Sequence, residues 1–194
     1  VSAEQGKVTL ISYNLEMGMK KEIYAKCEEA GDIVINARLL ADILRRMNGL
    51  QVTIEADDKL NCHIKCGETT FDIMGMAAED FPEMPTVGSD KSIVIDADIF
   101  SEMVKGTIFA VAQNEGAKPI LTGIYVTIED RILRFVAIDG YRLAIRRHNI
   151  DIEGSFSFIL SGRAVGEAVK LIDEETENVE ISFGDRLVSF NISG

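Results

Sequence analysis

One stretch, from Pro119 to Ile145, constrains the fold more than any other part of the chain. It reads PILTGIYVTIEDRILRFVAIDGYRLAI, which is three strand-length apolar segments separated by two short polar turns. The segments are Ile120–Ile128, Arg131–Ile138 and a third that begins at Tyr141 or Arg142. Asp139-Gly140 is a short hairpin signal, because glycine accepts the positive φ of a tight primed turn. The sequence therefore predicts consecutive antiparallel strands that end in an exposed turn. This turn could provide a binding surface for a partner.

A repeat divides the chain into two similar units. The matched segments are Val8-Thr9-Leu10 with Leu133-Arg134-Phe135, Val52-Thr53-Ile54 with Val179-Glu180-Ile181, and Asp58-Lys59-Leu60 with Asp185-Arg186-Leu187. The two members of each match lie one small domain apart in the chain. In each unit a helical pattern is followed by strands that close as a hairpin, and the second hairpin is expected to turn around Gly184-Asp185. This order predicts a β-rich α+β architecture.

Three amphipathic helices are predicted from apolar residues spaced three and four positions apart. They are Ala37–Asn48, Asp98–Gln113 and the segment that Ser161 caps. Their apolar stripes are Leu39-Leu40-Ile43-Leu44-Met47, Phe100-Met103-Val104-Ile108-Val111 and Val165-Ala168-Val169-Ile172. The first and third helices also carry basic residues seven positions apart, Arg38 with Arg45 and Arg163 with Lys170. Each pair shares one helix face, and a solvated surface is the plain explanation of these charges.

Composition limits the classes of function that the chain can have. The net charge of −12 argues by itself against wrapping nucleic acid, although an acidic exterior is compatible with a local basic lining. The apolar content of 46% supports a packed core, and no apolar run reaches membrane-spanning length. Cys27, Cys62 and Cys66 have no framework spacing, which favours a reducing cytoplasm. Strand alternation places Cys62 and Cys66 on an apolar face and His63 on the other, so we expect structural cysteines and no metal site.

The segment AAEDFPEMPTVGSD, residues 77–90, separates the two units. It holds two of the three prolines and has no usable periodicity, so it is predicted to be a linker. Residues 1–76 and 91–194 are then the two domains. The chain opens at Val1 and closes near Ser193 within strand-like sequence, and we therefore expect a fragment of a longer protein.

Two motifs in a fixed order resemble the middle domain of bacterial sliding clamps, the beta subunits of DNA polymerase III. They are Pro119-Ile120-Leu121-Thr122-Gly123 and Asp139-Gly140-Tyr141-Arg142-Leu143-Ala144, and Asp80-Phe81-Pro82 is similar to the junction after the family's first domain. The resemblance implies the DNA-clamp fold, an α+β fold of β-rich domains built from paired helix-plus-strand units. Its helices lie on a concave, DNA-facing side and its sheets lie outside. Residues 1–76 would be clamp domain one without its start and 91–194 domain two without its end, and the third domain would be absent.

The resemblance also implies a processivity factor that performs no chemistry of its own. The full-length protein would be a ring, closed as a head-to-tail homodimer, that encircles duplex DNA and slides on non-specific backbone contacts. It would tether the replicative polymerase through the DNA polymerase III alpha subunit, and bind the clamp loader and other proteins that carry clamp-binding peptides. It would need no cofactor or metal, contact no membrane, and work in the bacterial cytoplasm at the replicating nucleoid.

Two sets of site residues follow from the resemblance. In the family, basic helix positions face the hole and touch the phosphate backbone without reading bases. Carried over, the DNA-contacting residues are Arg38, Arg45, Arg163 and Lys170, with Lys118 as a further candidate. The partner-peptide groove would be formed by Leu121, Ile138, Gly140, Tyr141, Arg142 and Leu143. Ile138 stands where a threonine is common in the family, and the family completes the groove with later segments.

An alternative from another class stays open on the sequence alone. It is an enzyme or small-ligand-binding β-rich domain with a site among acidic turns such as Glu28-Glu29 and Asp57-Asp58. His148 has no second histidine nearby, and the chain lacks a Gly-x-Ser-x-Gly or His-Glu-x-x-His pattern. Polar groups that converge in a cleft would favour this alternative, whereas pseudo-equivalent domains would favour a clamp.

Overall fold

The computed structural model describes residues 1–88, 91–113, 116–184 and 187–192, which form two compact units, unit 1 (residues 1–85) and unit 2 (residues 86–194). Unit 1 contains β1 (Ser2–Glu4), β2 (Lys7–Tyr13), β3 (Gly18–Tyr24), β4 (Gly31–Asp32), α1 (Ala37–Arg46), β5 (Thr53–Ala56), β6 (Asn61–Cys66) and β7 (Thr69–Met74). Unit 2 contains β8 (Ser92–Asp96), α2 (Ala97–Lys105), β9 (Gly123–Glu129), β10 (Ile132–Ile138), β11 (Leu143–Asn149), β12 (Phe156–Ser161), α3 (Gly162–Lys170), β13 (Asn178–Phe183) and β14 (Val188–Ile192). The architecture is α+β and dominated by strands.

Both units share one succession of a four-stranded sheet, a helix and a hairpin. The larger sheets have the strand orders β3-β2-β1-β4 and β11-β10-β9-β12, and every pairing is antiparallel. After the fourth strand of each sheet comes a helix, α1 or α3, and then an antiparallel hairpin, β5-β6 or β13-β14. The predicted repeat is therefore confirmed at the level of topology. Asp185 and Arg186, at the predicted turn of the second hairpin, lie outside the described residues.

Side-chain caps set the helix starts. Asn36 accepts the Leu39 N–H at 3.0 Å, and Asp96 accepts the N–H groups of Asp98 and Ile99 at 3.0 Å each. Ser161 caps α3 as predicted by accepting the Ala164 N–H. Each cap satisfies backbone donors that the first turn of a helix leaves without a partner.

The prediction of a helix as far as Gln113 is wrong, because α2 ends at Lys105. The buried Thr107 hydroxyl donates to the Met103 carbonyl at 2.8 Å, and the chain then forms a separate 3-10 turn, Ile108–Ala110. A side-chain hydroxyl that bonds a helix carbonyl in this way competes with the backbone N–H groups that would continue the helix. Val111 still reaches the core, but from an irregular segment rather than from the helix.

The core of unit 2 lies between the sheet β9–β12 and the helices α2 and α3. Strand alternation buries one face of the two central strands, β9 and β10, and part of that face on β11 and β12. The fully buried residues on that face are Ile124, Val126, Ile128, Leu133, Phe135 and Leu160. Phe135 meets Phe100 of α2 edge to face, with ring centroids 6.2 Å apart. The opposite face of the sheet remains exposed.

Unit 1 has a smaller core, formed by Ile33, Ile43, Cys62 and Ile64. Cys66 is buried as well, so the prediction of structural cysteines on the apolar face of β6 is confirmed. His63 points the other way, with Nδ1 2.5 Å from Asp72 Oδ1, and this hydrogen bond raises its pKa. None of the described helices is long and apolar enough to cross a membrane.

Candidate partner groove and basic helix faces

The connection from β10 to β11 is a four-residue turn, residues 139–142. β11 thus starts at Leu143, later than the predicted start at Tyr141 or Arg142, while Gly140 adopts the expected positive φ, 93°. Asp139 organises the turn, because Oδ1 accepts the N–H groups of Tyr141 and Arg142 at 3.0 Å each. Its Oδ2 accepts Nε of Arg142 at 2.8 Å. A backbone hydrogen bond from the Asp139 N–H to the Arg142 carbonyl, 3.4 Å long, closes the turn beside these side-chain bonds.

These hydrogen bonds stabilise the charged form of Asp139. The Tyr141 N–H is the largest cause and the Arg142 side chain the next, and together they lower the pKa of Asp139 from 3.8 to about 2. The Arg142 guanidinium also lies over the Phe109 ring, 5.9 Å from its centroid, within the range of a cation–π contact. Arg142 is therefore held from two sides. The sequence did not predict the contact with Phe109. This residue lies in the 3-10 turn Ile108–Ala110, where a continuous helix was expected, and the turn leaves its ring exposed.

We expect the Asp139 carboxyl to titrate at about pH 2 in a carbon-detected NMR titration. Because the folded pKa lies below the ordinary value of 3.8, the carboxylate stabilises the turn fully above that value, and the effect is lost as the pH falls through about 2. The Arg142→Gln variant should move the midpoint upward, since it removes a charge-assisted bond. Arg131→Gln, at the opposite end of β10, is the matched control and should leave it in place. A wild-type midpoint near 3.8 would contradict the bonding pattern described here.

Apolar side chains lie beside this turn, at the end of the sheet where β10 ends and β11 begins. Ile138 and Leu143 are directly paired, and their side chains are 42% and 58% exposed. Leu121 ends the 3-10 turn that leads into β9 at the same end of the sheet, and its carbonyl accepts the Ala112 N–H at 2.9 Å. Tyr141 is almost fully exposed. The structure thus brings the six residues predicted for the groove to one end of one sheet.

The basic residues predicted to contact DNA occupy equivalent positions on α1 and α3. Arg45 Nη1 lies 3.1 Å from Asp42 Oδ1, three residues earlier on α1. Lys170 Nζ lies 2.7 Å from Glu167 Oε1, again three residues earlier on α3. Both pairs are exposed, so each contributes little to stability and can exchange for another anion. The repeat therefore includes one acid–base pair at the same positions of each helix. The basic residues of these pairs were predicted from the sequence as DNA contacts, but their acidic partners were not.

The remaining two predicted DNA contacts of unit 2 are also at the surface. Arg163 lines a cleft of about 450 Å³ at the start of α3, together with Gln113 and Thr122. Lys118 is exposed and precedes the 3-10 turn that ends at Leu121. In unit 1, Arg38 is exposed and has no ion-pair partner among the residues that the structure describes.

The acidic turns, which the alternative interpretation would use, are bonded within themselves. Asp57 accepts the N–H groups of Lys59 and Asn61 and the side-chain amide of Asn61, all within 2.9 Å. These bonds lower its pKa, the Asn61 side chain being the main cause. Glu28 pairs with Lys26 at 2.6 Å. Asp57 and Glu28 therefore bond to groups within their own loops and do not converge on a shared site.

Comparison with known proteins places the two units in one family. Residues 1–85 match the family model described as DNA polymerase III beta subunit, N-terminal domain, and residues 94–194 match the model of its central domain. The beta sliding clamp of Bacillus subtilis is 30% identical over 165 residues, which is 84% of this chain and 43% of that protein. The chain spans about half the length of the curated relatives it matches.

Solved structures agree with the family models. A DNA polymerase sliding clamp from Bacillus subtilis superposes with a TM-score of 0.90 at 26% identity, over 98% of this chain and 52% of that one. The DNA polymerase III beta subunit of Thermotoga maritima gives a TM-score of 0.88 at 25% identity, over 99% of this chain and 52% of that one. The predicted clamp fold is confirmed. This chain belongs to the family of DNA polymerase III beta subunits, the bacterial sliding clamps.

Proposed function

We propose that this chain is part of a replication clamp, a ring that encircles duplex DNA and confers processivity on the replicative polymerase. The observation that carries the proposal is the repeated topology, in which each unit presents a helix with basic residues at equivalent positions. Residues 1–76 and 91–194 act as the first and second clamp domains and residues 77–90 as their linker. In the full-length protein, subunits join head to tail as a homodimer.

The proposed partners are of two kinds. Duplex DNA is contacted through its backbone, without sequence preference, by Arg38, Arg45, Arg163, Lys170 and Lys118. The groove formed by Leu121, Ile138, Gly140, Tyr141, Arg142 and Leu143 takes peptides from the polymerase alpha subunit, the clamp loader and other clamp-binding proteins. Exposed apolar side chains beside a turn held by three side-chain hydrogen bonds support this role, because a few anchor residues buried against such side chains contribute most of the energy of binding.

The mechanism that we propose is topological and needs no catalytic group. The ring keeps the polymerase at its template because a closed ring cannot leave circular DNA, and its protein–DNA contacts can therefore stay weak. An acidic exterior is compatible with this mechanism, since only the lining must be basic. The clamp would act in the bacterial cytoplasm, where the chromosome is replicated.

A retention assay tests the proposal. A full-length clamp containing this sequence is loaded on nicked circular plasmid by its clamp loader and ATP, and the complex is passed through a gel-filtration column in high salt. We expect the clamp to stay with circular DNA and to be lost after the plasmid is linearised, because salt screens contacts but does not open a ring. A mock digestion is the control. Equal loss from circular and linear DNA would disprove topological binding.

A further inference from the structure

The exposed face of the sheet β9–β12 carries an apolar row that crosses all four strands. In register, the row consists of Ile145 on β11, Val136 on β10, Tyr125 on β9 and Ile159 on β12. Ile145, Tyr125 and Ile159 are 46%, 45% and 41% exposed. With strands about 4.8 Å apart, the row is about 14 Å long. Aligned exposed apolar side chains of this kind are typical of interaction surfaces.

A pair of arginines borders the apolar row on one side. Arg134 and Arg147 are directly opposite each other on β10 and β11, on the same face as the row. Like charges at such positions repel and destabilise a sheet. Glu129 lies 3.7 Å from Arg134, while Arg147 has no ion-pair partner in the described part of the chain. We call these two residues the arginine edge, and their positive charge is unusual in a chain with a net charge of −12.

Unit 1 shows that the shared topology does not require this surface. There, the position equivalent to Val136 is Ile11, and its partner on the neighbouring strand is Lys20. Lys20 forms an ion pair with Glu22 at 3.0 Å, and Lys7 lies 3.5 Å from the same carboxylate. The corresponding face of unit 1 thus neutralises its own charges. The apolar row and the arginine edge therefore distinguish the sheet of unit 2 from the equivalent sheet of unit 1.

We propose that the apolar row and the arginine edge form a docking surface for an acidic, aliphatic segment of a partner protein. This inference rests on the proposed function, since the same partner would place its clamp-binding peptide in the groove. The row is continuous with the groove floor, because Val136 and Ile145 lie two residues along their strands from Ile138 and Leu143. About five extended residues, at 3.3 Å each, would cross the row. Their aliphatic side chains would cover it while their carboxylates reach Arg134 and Arg147.

The test compares peptides on a full-length clamp containing this sequence by fluorescence polarisation. The probes are a short Gln-Leu-x-Leu-Phe peptide, the same peptide with a five-residue Glu/Leu extension at either end, and matched Lys/Leu extensions. We expect one Glu/Leu extension to tighten binding about tenfold, roughly one charge-assisted hydrogen bond. The double variant Arg134→Gln with Arg147→Gln, and separately Tyr125→Ser, should remove this gain and leave the short peptide unaffected. Lys20→Gln, on the equivalent sheet of unit 1, is the matched control.

The outcomes separate this inference from the proposed function. If the short peptide binds but neither Glu/Leu extension tightens binding, the docking surface is disproved and the groove stands. The same holds if Lys/Leu extensions bind as tightly, or if the arginine variants keep the gain while circular dichroism shows them folded. If duplex DNA or a second copy of the clamp shields Tyr125 from solvent, the surface binds that molecule and the proposed acidic partner segment is wrong. Failure of the short peptide to bind at all would overturn both the groove and the docking surface, whereas the ring is tested separately by the retention assay.

Discussion

Replacing Leu143 with Asp is expected to abolish the binding of short clamp-binding peptides to a full-length clamp containing this sequence. Leu143 opens β11 directly opposite Ile138, so its side chain forms the centre of the proposed apolar floor. Burying one Leu-sized side chain contributes about 1.5–3 kcal/mol. The aspartate would lose this contribution and would also place a charge that must give up its hydration when an apolar anchor docks. A combined loss of about 3 kcal/mol or more weakens binding by at least two orders of magnitude.

The measurement is a fluorescence polarisation titration with a labelled Gln-Leu-x-Leu-Phe peptide. Leu50→Asp is the matched control, because it makes the same chemical change at a fully exposed leucine of unit 1. This control should bind as the wild type does. Equal affinity of the wild type and a correctly folded Leu143→Asp variant would move the partner site away from the turn. The exposed end of the sheet would then have only a structural role.

Strand alternation and the repeat were enough to predict most of the fold. In unit 2 the apolar segments of residues 119–145 marked three consecutive strands, and in unit 1 strand alternation placed Cys62 and Cys66 inside and His63 outside. These predictions succeed because a strand has a period of two, so one apolar face determines where every side chain points. The start of α3 was equally clear from its capping residue, Ser161.

The errors share a physical cause, which is side-chain bonding to the backbone. The apolar stripe of α2 predicted helix beyond Lys105, but the Thr107 hydroxyl bonds two carbonyls of the last turn and the chain leaves the helix. The third strand was predicted to start at Tyr141 or Arg142, but the Asp139 carboxylate accepts three donors from these two residues and holds both in the turn. Both outcomes depend on where one short polar side chain points, which apolar periodicity does not determine.

The candidate site was less predictable than the fold. The groove residues were identified from the family resemblance, and physical reasoning from the chain alone reached only an exposed turn with apolar neighbours. The contact between Arg142 and Phe109 joins positions 33 residues apart in the chain, and no local pattern predicts it. The acid–base pairs on α1 and α3 were visible as a spacing of three residues, a distance at which side chains meet on a helix. Their matching in the two units is clear only once the topology is known.

Neutralising Arg38, Arg45, Arg163 and Lys170 together, each to Gln, is expected to weaken DNA binding by a full-length clamp containing this sequence. The slope of log affinity against log salt should flatten by about 0.9 for each phosphate that the variant no longer neutralises, or about 3.6 for four. Duplexes of unrelated sequence should lose affinity equally, because interactions with the backbone carry no base information. The measurement is a salt series of binding titrations on two short duplexes. Lys26→Gln, a cation on a loop of unit 1, is the control.

The ion pairs on the helices predict how this loss divides among the residues. Arg38 has no ion-pair partner among the described residues, so its removal should flatten the slope more than that of Arg45, which must first leave Asp42. Replacing Asp42 with Asn and Glu167 with Gln should instead strengthen DNA binding and steepen the salt slope, because each change frees a cation to bind phosphate. Tighter binding and a steeper salt slope in that double variant would place both helix faces against DNA. If the salt slope is unchanged in both the double and the fourfold variant, these helix faces do not contact DNA. The charges on α1 and α3 would then belong to an ordinary solvated surface.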